Sequence, residues 1–138
     1  MKFYAVIDTN VLVSAMLKKD SAPWHILNEA LCGCIVPLFN GEILNEYTEV
    51  LLRKKFNFSE RSVLNLLGEL PKRGILINAE HFDEQLSDPD DTVFYEVAMT
   101  AQDINNSFLV TGNIKHFPVK PFIVTPREML EIIKNSKT

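Results

Sequence analysis

The segment Phe3-Tyr4-Ala5-Val6-Ile7 runs without a break into Asp8-Thr9-Asn10. Five apolar residues with no alternation read as a strand covered on both faces, the pattern of a parallel sheet with helices on each side. A carboxylate directly after such a strand is costly unless it is hydrogen-bonded or binds a cation. Asp8 therefore either caps the helix that follows or serves as a functional acid, and its position suits both. It also stops the apolar run far short of the roughly 20 residues of a membrane span. A signal peptide would need its apolar region to continue where Asp8 stands.

The rest of the chain alternates helix and strand, the signature of an α/β sheet. Helices are expected over about residues 10–18 and 22–31, then from an Asn40 cap to about Lys54. Another is expected from a Ser59 cap to Leu70, ended by Pro71 and Gly74. Asp88-Pro89 opens a further helix, and the capping box Thr125-Pro126-Arg127-Glu128 opens the last, through Ile133. Further strands are expected at Ile35–Leu38, with Pro37 at its end, and at Ile75–Ile77, Phe108–Val110 and Phe122–Val124. With 138 residues, no repeat and no linker, residues 1–138 read as one domain.

Fourteen basic and eighteen acidic residues leave a net charge of −4, so nucleic-acid contact would have to come from local patches. Lys18-Lys19, Arg53-Lys54-Lys55 and Lys72-Arg73 are candidates, although most such runs are simply solvated. His25 and His116 are possible phosphate contacts; Trp24 and Phe56 read as core. Cys32 and Cys34 are too close for an ordinary disulfide and too few for a structural zinc site. Free thiols without an export signal suggest a cytoplasmic protein.

Ligands in open α/β sheets bind beyond the carboxyl ends of the strands. Two strands here end in polar groups at that edge, one in Asp8-Thr9-Asn10 and one in Thr111-Gly112-Asn113. In the helix after Asn40 the apolar stripe is Ile43, Leu44, Tyr47, Val50 and Leu51. Glu46 lies about 40° from Val50 at 100° per residue, at the edge of the core. Glu42 and Glu49 turn toward water, Glu49 beside Arg53. Asp88-Pro89-Asp90-Asp91 is the densest acidic cluster. It either stabilises a helix dipole or, because like charges repel, awaits a divalent cation. Spacing does not choose between Asp90 and Asp91.

Asp8, Glu46, Asp91 (or its neighbour Asp90) and the amide of Asn113 make an all-oxygen set. Hard oxygen donors select Mg²⁺ or Mn²⁺, and such a site without a Gly-rich phosphate loop suits phosphodiester hydrolysis. A phosphorelay receiver domain would need an Asp after a middle strand, and none lies between Asp20 and Asp83. An aspartyl-nucleophile phosphatase would need a second Asp where Asn10 stands.

Val6-Ile7-Asp8-Thr9-Asn10-Val11-Leu12-Val13-Ser14 resembles the opening motif of PIN-domain nucleases. Glu46-Tyr47-Thr48-Glu49-Val50-Leu51 is similar to the second motif of that family. Asp88-Pro89-Asp90-Asp91 with Ala98, and then Leu109-Val110-Thr111-Gly112, resemble the third and fourth. Each is short, but the four stand in family order from about Phe3 to Phe117. The resemblance implies a PIN-like α/β/α sandwich, a small parallel sheet flanked by helices, with an acidic pocket for Mg²⁺ or Mn²⁺. It further implies an endoribonuclease acting on single-stranded RNA and leaving 5′-phosphate and 3′-hydroxyl ends. Many bacterial single-domain members of this length are VapC-like toxins, often homodimers, silenced by a cognate antitoxin protein.

Carried over residue by residue, the resemblance assigns catalysis and metal binding to Asp8, Glu46 and Asp91, choosing Asp91 over Asp90. Asp8 and Asp91 would hold the principal metal, while Glu46 supports it or orients the attacking water. Thr9, Asn10 and Thr111 are expected to hydrogen-bond the substrate or the acids themselves. This chain departs from the family at Asn113, where an Asp is usual after Val-Thr-Gly. That departure keeps open an alternative, a PIN-like module that binds RNA or a protein with little or no cleavage.

Overall fold

The computed structural model describes residues 1–137. Five strands, β1 (Phe3–Ile7), β2 (Ile35–Phe39), β3 (Ile75–Leu76), β4 (Ser107–Val110) and β5 (Ile123–Val124), form one sheet in the order β3-β2-β1-β4-β5. Every strand pair is parallel. The helices are α1 (Thr9–Leu17), α2 (Ala22–Cys32), α3 (Gly41–Leu51), α4 (Glu60–Arg73), α5 (Thr92–Thr100) and α6 (Pro126–Asn135). The expected parallel α/β sandwich is the fold observed. β1 is central and nearly all buried, as its unbroken apolar run requires.

Four boundary expectations are corrected. Pro37 lies inside β2, opposite Ala5, and not at its end. Along β2 the Cys34 carbonyl serves β1, accepting from Phe3 N, while the Phe39 carbonyl serves β3, accepting from Ile77 N. Alternate residues point to opposite sides, so Pro37 faces β3, which pairs only with Leu38 and Phe39. Its missing N–H thus interrupts no ladder. Gly74 passes so close that a Cβ there would sit 2.2 Å from the Pro37 carbonyl oxygen, which is why only glycine fits.

Pro71 lies within α4, which runs on to Arg73. In the last turn a proline removes a single helical bond, and Leu70 beside it is anchored in the core. α3 stops at Leu51, short of Lys54, and the three residues Lys54–Phe56 form a separate 3₁₀ turn. Asp88-Pro89 opens a 3₁₀ turn, Pro89–Asp91, which leads into α5. The caps at Asn40 and Ser59 and the box at Thr125–Glu128 form as expected.

Phe94 and Tyr95 of α5 are fully buried, alongside Leu12, Ile43, Leu109 and Met129. Burying one such side chain contributes roughly 1.5–3 kcal/mol. This packing fixes where α1, α3 and α5 begin or pass near the carboxyl ends of β1 and β4. Among the described residues, no helix is long and apolar enough to cross a membrane.

Candidate active site

Asp8 follows β1 and stands at the N-cap of α1, yet its carboxylate makes no cap hydrogen bond. Its Oδ2 instead accepts from Thr111 Oγ1 at 2.8 Å and from Asn10 Nδ2 at 3.2 Å. Thr111 directly follows β4, so one hydroxyl ties the ends of the two central strands together through the acid. Gly112 N in turn donates to Asn10 Oδ1 at 3.1 Å, and Asn113 N to Thr111 Oγ1 at 3.0 Å. Asp8 is only 4% exposed. Burial raises its pKa above the ordinary carboxylate value, against the hydrogen bond from Thr111, the nearby amides of Thr9 and Asn10, and the His116 imidazole.

Glu46 is half-buried at the edge of the apolar face of α3, as the periodicity predicts, while Glu42 and Glu49 are exposed. Its carboxylate accepts from Thr9 Oγ1, the residue after Asp8. Burial raises its pKa; the Thr9 hydrogen bond opposes the rise, and the charges of Asp8, Asp90 and Glu49 add to it. Tyr47, next along α3, is buried and donates its hydroxyl to the Ile7 carbonyl. That bond locks α3 against the last residue of β1. Read from sequence, Tyr47 was simply part of an apolar stripe.

The three acids of the Asp88 cluster separate by environment. Asp88 is exposed and caps its own turn, its Oδ1 accepting from Asp90 N at 3.0 Å. Asp90 is exposed and lines a hollow with Glu42, Glu46, Thr92 and Glu96. Asp91 points inward, with its side chain 14% exposed and its Oδ2 buried without a hydrogen-bond partner among the described residues. The His116 imidazole approaches it, with Nδ1 3.4 Å from that oxygen. Burial first, then the charges of Asp8 and Asp88, push the Asp91 pKa up to about 6, with His116 opposing.

Asp8, Glu46 and Asp91 therefore gather at one sheet edge, each desolvated and each raised in part by a neighbouring acid or by burial. A PIN domain model matches residues 4–115, most of the sequence. The chain belongs to the PIN-domain family. PIN domains are generally nucleases and typically use divalent metals. A protein of Methanocaldococcus jannaschii described as uncharacterized is 28% identical, over 95% of this chain and 92% of the relative. No solved structure matches the chain.

Among the described residues, no three His, Cys, Asp or Glu side chains stand close enough to hold a metal ion together. The donor chemistry of this PIN domain nonetheless fits a divalent cation. An acid oxygen is buried without a donor, and its carboxylate is charged against Asp8. Thr9, Asn10 and Thr111, expected to bind substrate or support the acids, are all engaged with the carboxylates. Asn113 is exposed at the rim, and the hydrogen bond it makes around Asp8 comes from its backbone. The feature missed in sequence is the approach of His116 to Asp91, which depends on the 3₁₀ turn Ile114–His116 after β4.

Proposed function

We propose that this PIN domain is a divalent-metal-dependent endoribonuclease that cuts single-stranded RNA, leaving 5′-phosphate and 3′-hydroxyl ends. The observation that carries the reading is the buried Asp91 Oδ2, without a hydrogen-bond partner among the described residues, in a carboxylate whose pKa the charge of the buried Asp8 helps to raise. Two desolvated carboxylates without a Lys or Arg between them are stabilised by a cation from outside. Asp8, Asp91 and Glu46 would hold Mg²⁺ or Mn²⁺, with the amide oxygen of Asn113 available at the rim. Such an ion, when bound, supplies a water of lowered pKa and positive charge against the phosphate.

The residues of the chain do the positioning. Thr111 and Asn10 fix the Asp8 carboxylate, and Thr9 fixes Glu46, so that the acids present preset oxygens. With its raised pKa, Glu46 is suited to take a proton from a water nearby. Residues 1–138 act as one nuclease domain in this reading, supported by the single sheet and continuous core. A cytoplasmic site of action fits the free thiols of Cys32 and Cys34. The role of a VapC-like toxin, paired with a cognate antitoxin and acting as a homodimer, extends the same reading and rests on the family resemblance.

The test incubates the purified protein with unstructured and structured RNA, with and without Mn²⁺, beside Asp8→Asn and Asp91→Asn. Cleavage of the unstructured RNA should require the ion and disappear in both variants. Undiminished cleavage by either variant sinks the assignment. The exposed Asn113 favours one other reading, an RNA-binding module that does not cut. It predicts RNA binding indifferent to chelator and no new ends.

A further inference from the structure

We propose that His116 is a direct ligand of the divalent ion, giving this PIN site a nitrogen donor where the family motif usually has an acid three residues earlier. The inference rests on the metal-dependent reading above. Three observations carry it. The first is a distance. His116 Nδ1 stands 3.4 Å from Asp91 Oδ2. That is long beside the roughly 2.9–3.0 Å usual for an N–H···O bond. Two donor atoms each about 2.1 Å from a shared ion stand about 3.0 Å apart in an octahedral shell and about 3.4 Å in a tetrahedral one. The separation matches a tetrahedral pair and is slightly wider than an octahedral one, so it leaves room for an ion between the two atoms.

The second observation is the state of position 113. Asn113 is exposed, and its backbone N–H is spent on Thr111 Oγ1. It therefore brings no charge to the centre. The third is how His116 is delivered. β4 ends in Thr111, which already holds Asp8, and His116 N closes the next turn by donating to Asn113 O at 2.9 Å. The imidazole thus follows the site by a short, hydrogen-bonded connection. It is 47% exposed, so an ion can reach it from solvent. His116 lies one residue beyond the stretch matched to the family.

An imidazole changes which ion the site prefers. Carboxylates alone suit Mg²⁺, whereas a nitrogen donor raises affinity for Mn²⁺ and still more for Co²⁺. The competing role for His116 is a placeholder, a cationic partner for Asp91 that must leave before an ion can enter. The two roles predict opposite signs, since removing a ligand weakens binding and removing a competitor tightens it.

The experiment titrates the purified protein with Mn²⁺, Co²⁺ and Mg²⁺ by calorimetry and follows the visible Co²⁺ spectrum. Wild type, His116→Ala, Asp8→Asn and, as control, His25→Ala on exposed α2 surface are compared. His116→Ala should weaken Mn²⁺ and Co²⁺ by about tenfold or more and Mg²⁺ by less than about threefold. The Co²⁺ absorption should change in this variant and stay unchanged in His25→Ala. His116→Asn repeats the test should the alanine variant misfold. Binding by His116→Ala as tight as wild type, or tighter, overturns the proposal while leaving the metal-dependent reading intact. A wild-type protein that shows no Asp8-dependent binding of any of the three ions overturns both.

Discussion

The acids on the surface helices and the acids at the sheet edge are treated in opposite ways by this fold. On α3, Glu49 receives two nitrogens of Arg53, the closest at 3.0 Å, and both side chains are largely in water. On α4, Glu69 is paired with Arg73 at 3.3 Å and Lys72 at 3.9 Å. Beyond β1 and β4, Asp8, Glu46 and Asp91 receive hydroxyls, one amide and the approach of one imidazole. Among the described residues, no Lys or Arg pairs with any of the three. Glu49 and Glu69 are thus neutralised from within the chain, whereas the three acids at the sheet edge are not. The contrast marks the site better than acid density does, because Asp88 and Asp90 belong to the densest cluster yet stay in water.

The largest expected effect removes that unneutralised charge. Asp8→Asn and Asp91→Asn should abolish divalent-dependent cleavage of RNA while the fold persists, since neither change removes apolar packing. Their melting temperatures without metal should equal or exceed that of wild type. A variant that cuts normally, or one that unfolds, would erase the distinction between functional and structural acids.

The next effect is a pH dependence that metal should cancel. The fold raises Asp91 from 3.8 to about 6, so it favours the protonated carboxyl. Its contribution to stability is complete below about pH 4 and is lost as pH rises through about 6. At neutral pH the loss is on the order of 3 kcal/mol, from roughly two pKa units at about 1.4 kcal/mol each. Asp8 and Glu46 are raised too and act in the same direction. Urea unfolding in chelator should show stability falling between pH 4.5 and 7.5, with a shallower fall in Asp91→Asn. Added Mn²⁺ should restore stability at pH 7.5 in wild type alone. Stability that rises with pH in chelator would contradict the burial argument.

How far the site was legible in sequence follows from which signals are local. β1 and the polar turn after it are encoded within eight residues, and the phase of α3 placed Glu46 at the core edge because helical periodicity is local. Asp90 and Asp91 were indistinguishable by spacing, because the 3₁₀ turn Pro89–Asp91 rotates them differently from a continuing α-helix. Only the resemblance to the PIN family chose between them. Pro37 was misplaced because its tolerance depends on where β3 starts, a partner about 40 residues away. The Thr111–Asp8 bond spans 103 residues and the His116–Asp91 approach joins two separate turns. Neither leaves a periodic trace in either segment.

A smaller effect is expected at Asn113. The amide has no charge, so Asn113→Asp adds a carboxylate at the rim near Asp8 and His116. Divalent binding should tighten several-fold, read by calorimetry or by the metal concentration giving half-maximal cleavage. The added charge should also raise a neighbouring acid further, shifting the pH midpoint of stability upward. Unchanged affinity would show that position 113 lies outside the ligand shell, leaving the site to the three acids and His116.

The smallest effects belong to the surface acids, and their ranking tests the helix phase directly. Glu49 and Arg53 are 63% and 45% exposed, so their pair is screened by water and costs side-chain entropy to hold. Glu49→Gln should change stability by no more than about 0.5 kcal/mol and leave cleavage within error. Glu42→Gln, although it borders the hollow shared with Glu46 and Asp90, should behave similarly because Glu42 is exposed. Glu46→Gln, one turn of α3 further on and tied to Thr9, should reduce cleavage strongly with little change in unfolding. The three substitutions are chemically identical and lie on one helix, so only the direction each side chain faces can separate them. Equal losses in all three would mean that the acidic face acts as a diffuse field. A loss confined to Glu49→Gln would mean that the working face of α3 is the one paired with Arg53, and the assignment of Glu46 would fall with it.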